Sequence, residues 1–281
     1  MRARFLTVEG TRIRCLTAGQ GRPLFLLHGV GLSADIFVRN MAALGERRTV
    51  FALDLPGHGF SDAIAFGDLA PQRAMARQVL RTADSLGVER FCVLGHSFGG
   101  LVAGLIHFEQ PGRLDGLVVV ASGSTFHAAS DQARTLRAAA ENGSRAMGDP
   151  TLESCRTRLA NICFDPASVA EEILLSQLTA YALPDRLDAY RATIEGAIRS
   201  LDPDEQRVLD RLERLDVPTL IVSGRDDIRA AVAAHEEGCR RLPDAELSIF
   251  DRCGHLPFME HPQLFNETVC RFLARIPGGR G

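Results

Sequence analysis

Continuous apolar blocks such as Leu24-Phe25-Leu26-Leu27, Leu117-Val118-Val119-Val120 and Leu220-Ile221-Val222 leave this chain few folds to choose from. A strand with one face in water alternates polar and apolar residues. A strand that is apolar throughout has to be covered on both faces, as in parallel sheets. Strand-like runs occur at residues 11–17, 23–27, 49–53, 91–94, 117–121, 218–222 and 246–250, each bounded by turn residues. The first differs from the rest: Ile13 and Cys15 alternate with Arg12 and Arg14, the pattern of an antiparallel edge hairpin. Helical periodicity fills residues 69–86, 101–109, 232–242 and 264–276. Such alternation implies right-handed crossovers and a mostly parallel, doubly wound α/β sheet. The alternation stops near Gly123 and resumes at Val217-Pro218-Thr219-Leu220, and the stretch between reads as helices rich in Ala, Arg and Leu. The expected organisation is one α/β core with a helical cap insertion: core over residues 1–125, cap over 126–206, core again over 207–281.

Composition removes several classes of function. With 281 residues, 46% hydrophobic and 24% charged, the chain is balanced like a globular protein, not a disordered segment or a coiled coil. A formal net charge of −3 offers no electrostatic footprint for nucleic acid. No run approaches the ~20 apolar residues that span a bilayer, so no membrane partner is expected. The first residues carry charge with no apolar run behind them, which argues against a secretory signal. All 32 basic residues are Arg, which we read as genomic base composition and not as chemistry. The seven cysteines (Cys15, Cys92, Cys155, Cys163, Cys239, Cys253 and Cys270) are scattered and include no CxxC pair. They read as small buried hydrophobes in a reduced cytoplasm, and no His/Cys cluster has the spacing of a metal site.

The chemistry is concentrated at Gly95-His96-Ser97-Phe98-Gly99, a G-x-S-x-G motif with a strand-like run before it and a helix after it. That context turns a weak motif into a specific one: a sharp strand-to-helix turn lifts the serine hydroxyl above the sheet. A serine hydroxyl needs a base. Of eight histidines, His255 directly follows the last strand-like run and therefore shares the carboxyl edge of the sheet with Ser97. His96 adjoins Ser97 but is expected to point away from it. His58, in Pro56-Gly57-His58-Gly59, reads as structural, and His107, His127, His235 and His261 fall on helices or helix starts. The base needs an orienting carboxylate. Gly224-Arg225-Asp226-Asp227 offers two neighbours, which cannot both face the histidine. Asp227, three residues past Gly224 and 28 before His255, is the expected acid, with Asp226 the alternative. The earlier strand tip, Ala121-Ser122-Gly123, offers no carboxylate. Backbone N–H groups of Val30, in His28-Gly29-Val30-Gly31, and of Phe98 are expected to hold a developing oxyanion. The loop over residues 54–62 is read as a rigid rim.

The order Ser97, Asp227, His255, with His28-Gly29 ahead of them, resembles the α/β-hydrolase family over residues 5–276. The resemblance implies an eight-stranded sheet with a variable helical cap, no metal or organic cofactor, and a small-molecule substrate lying against His28, Gly29 and Leu256. A homo-oligomer is compatible with it. Gly224-Arg225-Asp226-Asp227, Cys253-Gly254-His255 and Arg39-Asn40 are further similar to the carbon–carbon hydrolases that split meta-cleavage products, which are vinylogous 1,5-diketones. Leu256 stands where those enzymes usually carry Trp, and Asp35 where they carry Asn. An anionic Asp35 facing the pocket would repel a dienolate by ~4 kcal/mol at about 4 Å and an effective dielectric of about 20. Otherwise Asp35 caps a helix over residues 36–44. The Arg that holds their substrate carboxylate has no clear counterpart, although Arg186 and Arg191 lie nearby. The leading expectation is therefore a serine hydrolase that cleaves an ester or lactone of a small, fairly apolar substrate through an acyl-enzyme on Ser97. A carbon–carbon hydrolase comes second, and a non-catalytic ligand-binding protein on the same fold third. Dehalogenases and epoxide hydrolases need Asp at the position of Ser97.

Overall fold

The computed structural model describes residues 1–201 and 207–276. In chain order the strands are β1 (Arg2–Val8), β2 (Thr11–Ala18), β3 (Arg22–Leu27), β4 (Arg48–Leu53), β5 (Phe91–His96), β6 (Leu114–Val120), β7 (Thr219–Gly224) and β8 (Ala245–Phe250). They form one sheet in the order β1-β2-β4-β3-β5-β6-β7-β8. The pairs β1/β2 and β2/β4 are antiparallel and all others parallel. β5 and β7 are buried at every position, as their unbroken apolar sequences require. Phe25 stacks on Phe51 at 5.1 Å and tilts against Phe91 at 4.7 Å in the middle of this core.

β1 is absent from the apolar runs of the sequence because only Val8 in it is buried. It is an edge strand, and Arg2 and Arg4 on it discourage pairing with a foreign strand. The helix expected over residues 36–44 is instead a 3₁₀ turn, Ala34–Phe37, and a short α1 (Met41–Gly45). Buried Asn40 marks the break between them: its side-chain amide donates to the Phe258 carbonyl (3.1 Å) and to Asn266 (2.9 Å), tying the chain to its C-terminal end.

The remaining core helices are α2 (Pro71–Ser85) and α3 (Phe98–Glu109). Between β6 and β7 lie α4 (Gly123–Phe126), α5 (Ala129–Gly148), α6 (Leu152–Ala160), α7 (Glu171–Tyr181) and α8 (Arg186–Arg199). The core resumes with α9 (Val232–Arg241), α10 (Pro257–Glu260) and α11 (Pro262–Arg275). The expected end of the insertion, at residue 206, lies outside the described residues. Thr151 and Ser154 start α6 with a reciprocal capping box, which satisfies two helix N–H groups that would otherwise lack partners.

Sheet order determines where a ligand can go. β3 leads to β4 on one side, while β5 lies on its other side. The loops after β3 and β5 therefore diverge at the carboxyl edge and leave a crevice, the usual ligand position in open α/β sheets. All seven cysteines are free thiols; Cys15, Cys92, Cys155 and Cys253 are buried, and the other three are half-buried. Among the described residues no helix is long and apolar enough to cross a membrane.

Candidate active site

Ser97 occupies the single residue between β5 and α3, with φ 53° and ψ −119°. A non-glycine residue there is strained by about 1–3 kcal/mol, a cost the surrounding structure has to enforce. The flanking glycines show how tight the turn is. A Cβ on Gly95 would lie 2.2 Å from the Gly99 carbonyl oxygen, and one on Gly99 would lie 2.4 Å from that of Leu27. The Ser122 hydroxyl, just past the end of β6, donates to the Ser97 carbonyl at 2.6 Å and braces the turn.

The structure brings His255 and Asp227 to this serine. His255 Nε2 lies 3.0 Å from Ser97 Oγ, and His255 Nδ1 lies 2.8 Å from Asp227 Oδ2. The other Asp227 oxygen accepts from the Arg229 (2.7 Å) and Ala230 (3.2 Å) backbone N–H groups, so the carboxylate cannot rotate away. Asp226 points elsewhere, with a carboxylate that accepts from Cys253 N at 3.3 Å. His96 differs from expectation. It does not turn away but packs beside His255, ring centroids 4.8 Å apart, with Nε2 2.9 Å from the His255 carbonyl. Glu260, which the sequence did not single out, holds the histidine loop. Its carboxylate accepts from Gly254 N (3.0 Å), Leu256 N (3.1 Å) and Phe164 N (2.7 Å). The signal available was an acid five residues after His255.

Val30 and Phe98 follow β3 and Ser97. Among the described residues their backbone N–H groups have no protein acceptor. Phe98 is the first residue of α3, so its N–H sits at the positive end of the helix dipole. Gly29 and Val30 line the cavity above Ser97, but His28 and Leu256 do not. His28 is wholly buried beneath the loop: Nδ1 donates to the Gly29 carbonyl at 2.8 Å, and Nε2 accepts from Leu55 N at 3.0 Å. Leu256 is buried among the core residues, its N–H held by Glu260.

Burial, with His58 nearby, pushes the His28 pKa down to about 3, and burial takes His58 and His235 down to about 4. In the unfolded chain each returns to the ordinary ~6.5. Between those values the unfolded chain binds protons that the folded chain refuses, so stability falls with acidification across roughly pH 6.5 to 4. Each histidine contributes about 1.4 kcal/mol per pH unit in that window. The urea midpoint should therefore be clearly lower at pH 5 than at pH 7.5, and equal midpoints would contradict the neutral burial of these rings.

A small cavity opens over Ser97 and His255. Its far wall comes from the inserted helices: Thr135, Ala139 and Asn142 of α5, Arg158 of α6, and Ile162 beyond it. Arg229, from the loop after Asp227, completes the lining. Burial lowers the pKa of both arginines, yet a guanidinium stays charged in proteins. Asp35 does not line the cavity. Its carboxylate takes two bonds from Arg14 (2.6 and 2.8 Å) and one from the Ser33 hydroxyl (2.9 Å). Burial would raise its pKa, but the Arg14 bonds outweigh burial and hold the carboxyl below its usual range. Nor does Asp35 cap a helix, since the N-cap position of the 3₁₀ turn is Ser33. Arg186 is committed to the rim loop, donating to the Ser61 carbonyl at 2.7 Å, and Arg191 is exposed. Neither reaches the cavity lining.

The comparisons agree with this architecture. A family model described as the alpha/beta hydrolase family matches residues 24–268. The 2-hydroxy-6-oxononadienedioate/2-hydroxy-6-oxononatrienedioate hydrolase of Paraburkholderia phymatum is 30% identical over 275 residues, covering 94% of this chain and 91% of its own. The 2-hydroxy-6-oxo-6-phenylhexa-2,4-dienoate hydrolase of Burkholderia cepacia is 29% identical over 277 residues, covering 94% and 91%. A solved meta-cleavage product hydrolase of Pseudomonas fluorescens IP01 superposes with a TM-score of 0.79 at 23% identity, covering 98% of each chain, a likeness of fold.

Proposed function

Because the chain belongs to the alpha/beta hydrolase family, we propose that it is a serine hydrolase that cleaves the carbon–carbon bond of a meta-cleavage product, a 2-hydroxy-6-oxodienoate. Ser97, His255 and Asp227 act as its catalytic triad, Val30 and Phe98 supply the oxyanion hole, and the helices over residues 129–199 are its cap. This reverses the order expected from the sequence, where an ester or lactone led. The observation that carries it is the sign of the charge around Ser97. The carboxylate of Asp35 is tied to Arg14 away from the cavity, and the charged side chains of the lining beside the histidine are guanidiniums, Arg158 and Arg229. A cationic lining suits a reaction that expels a carbanion, whereas ester cleavage needs nothing of the kind. The names of the curated relatives support the same reading. Seven free thiols support a reducing, cytoplasmic setting.

In this mechanism the dienol first shifts its hydroxyl proton to C5, giving the ketone. Ser97 Oγ attacks the C6 carbonyl while His255 Nε2 accepts the hydroxyl proton, and the new oxyanion accepts from the Val30 and Phe98 N–H groups. The C5–C6 bond breaks with its electron pair leaving on the dienoate half, and His255 returns the proton to it. Water, deprotonated by His255, then hydrolyses the acyl-Ser97 ester to a carboxylic acid. Asp227 keeps the His255 tautomer with its proton on Nδ1 throughout.

The test compares a 2-hydroxy-6-oxodienoate, followed by the loss of its conjugated absorbance, with a short aryl ester. The kcat/KM for the diketone should exceed that for the ester by about tenfold or more, a barrier difference of about 1.4 kcal/mol. Ester turnover without diketone cleavage would restore the ester reading.

A further inference from the structure

Two guanidiniums face one cavity, and their surroundings differ. Arg158 is fixed. Its terminal nitrogens donate to the Gly31 carbonyl at 2.6 Å and the Val30 carbonyl at 3.2 Å, and its charge lies between the rings of Tyr181 (5.2 Å) and Tyr190 (5.5 Å). Arg158 therefore clasps the oxyanion loop to the inserted helices and has little freedom to turn to a ligand. Among the described residues the Arg229 guanidinium makes two long hydrogen bonds, to the Thr135 carbonyl at 3.5 Å and the Ala138 carbonyl at 3.3 Å. Among the described residues neither arginine forms an ion pair with a carboxylate. Asp227, two residues earlier, and the exposed Glu141 act on Arg229 only through space, and both Asp227 oxygens are already taken, one by His255 and the other by the backbone N–H groups of Arg229 and Ala230. A half-buried cation with donors to offer, beside the reacting serine and histidine, is under-compensated until an anion arrives.

We propose that Arg229 binds a carboxylate of the substrate and makes this site selective for anionic over neutral substrates. A planar fork of N–H donors matches a carboxylate bidentately, and such charge-assisted bonds are the strong ones in a partly desolvated pocket. Carboxylate recognition then comes from the core loop that also carries Asp227, not from Arg186 or Arg191 on α8. The proposal rests on the reading of the Ser97 cavity as the substrate site, but not on which bond is broken there.

The test uses equilibrium binding to a Ser97→Ala variant, so that its outcome is separate from carbon–carbon cleavage. Sorbate, a conjugated six-carbon acid, and sorbamide, its neutral twin, are titrated calorimetrically. The acid should bind at least about tenfold tighter than the amide, an advantage that shrinks at high ionic strength. Adding Arg229→Gln should bring acid and amide to equal affinity with an unchanged melting temperature. Arg229→Lys, which keeps the charge but loses the fork, should retain part of the preference, and it decides the matter if the Gln variant melts lower. Equal binding of acid and amide by the Arg229-containing protein, failure of the acid to bind, or an unchanged preference in Arg229→Gln would each overturn the proposal.

Discussion

Replacing Ser97 with alanine should lower kcat by ~10⁶ while leaving the protein folded. Among the described residues the Ser97 side chain has one hydrogen-bond partner, His255 Nε2, so its removal breaks no other hydrogen bond. The turn itself is held by backbone and neighbours, through Ser97 N to the Val120 carbonyl (2.9 Å) and the Ser122 hydroxyl to the Ser97 carbonyl (2.6 Å). Alanine meets the same φ restriction as serine, so the strain is unchanged. On the proposed mechanism Ser97 and His255 act as a unit, so adding His255→Ala should cost little more, and a serine-directed phosphonate should label Ser97 alone. Steady-state kinetics and intact-protein mass measurement check both points. Residual turnover within about a hundredfold of the parent would mean that Ser97 is not the nucleophile.

Asp227→Asn should cost about 10⁴ in kcat, and Asp226→Asn far less. The reason is local to Asp227. Its Oδ1 is pinned by two backbone N–H groups, so an asparagine would keep its oxygen there and turn its NH₂ toward His255 Nδ1. Two donors would then face each other, and the imidazole would take the tautomer that cannot accept the serine proton. Among the described residues the Asp226 carboxylate accepts one long bond, from Cys253 N at 3.3 Å, and Asp226 is exposed. Kinetics on the two variants, with urea midpoints to control for folding, checks the order. The reverse ranking would move the acid by one residue.

The parts of the site that were legible in the sequence are those fixed by local backbone rules. Ser97, Asp227 and His255 each follow a strand of the parallel sheet, and reading the strands was enough to bring them to one edge. The glycines around Ser97 announced the turn because no other residue fits it. Side-chain partnerships across the fold left no such trace. Asp35 looked like an anion near the pocket because its partner, Arg14, lies on β2, two elements earlier in the chain, and nothing in either segment names the other. His28 looked like a binding residue, but its bonds run down into the Leu55 loop. Arg158 was harder still, since the insertion has many arginines and no motif. One signal was present: Arg158 shares the buried stripe of α6 with Cys155 and Leu159, a charge on the apolar face of a helix. β1 escaped notice for the opposite reason, having almost no buried residue to mark it.

The backbone bond from His255 N to the Ile162 carbonyl, at 2.7 Å, gives the helical segment a second significance. Together with Tyr181 Oη on the Gly31 carbonyl (2.7 Å) and Arg158 on the same oxygen, it stitches the insertion to both sides of the Ser97 cavity. A chimera that grafts a foreign helical segment onto this core must also supply a carbonyl where that of Ile162 stands and donors over Gly31. Without them the histidine loop keeps a buried N–H with no acceptor, a defect of about 1–3 kcal/mol at the most sensitive point of the molecule. On the proposed reading, the inserted helices and the loops that carry Ser97, Asp227 and His255 therefore have to diverge together.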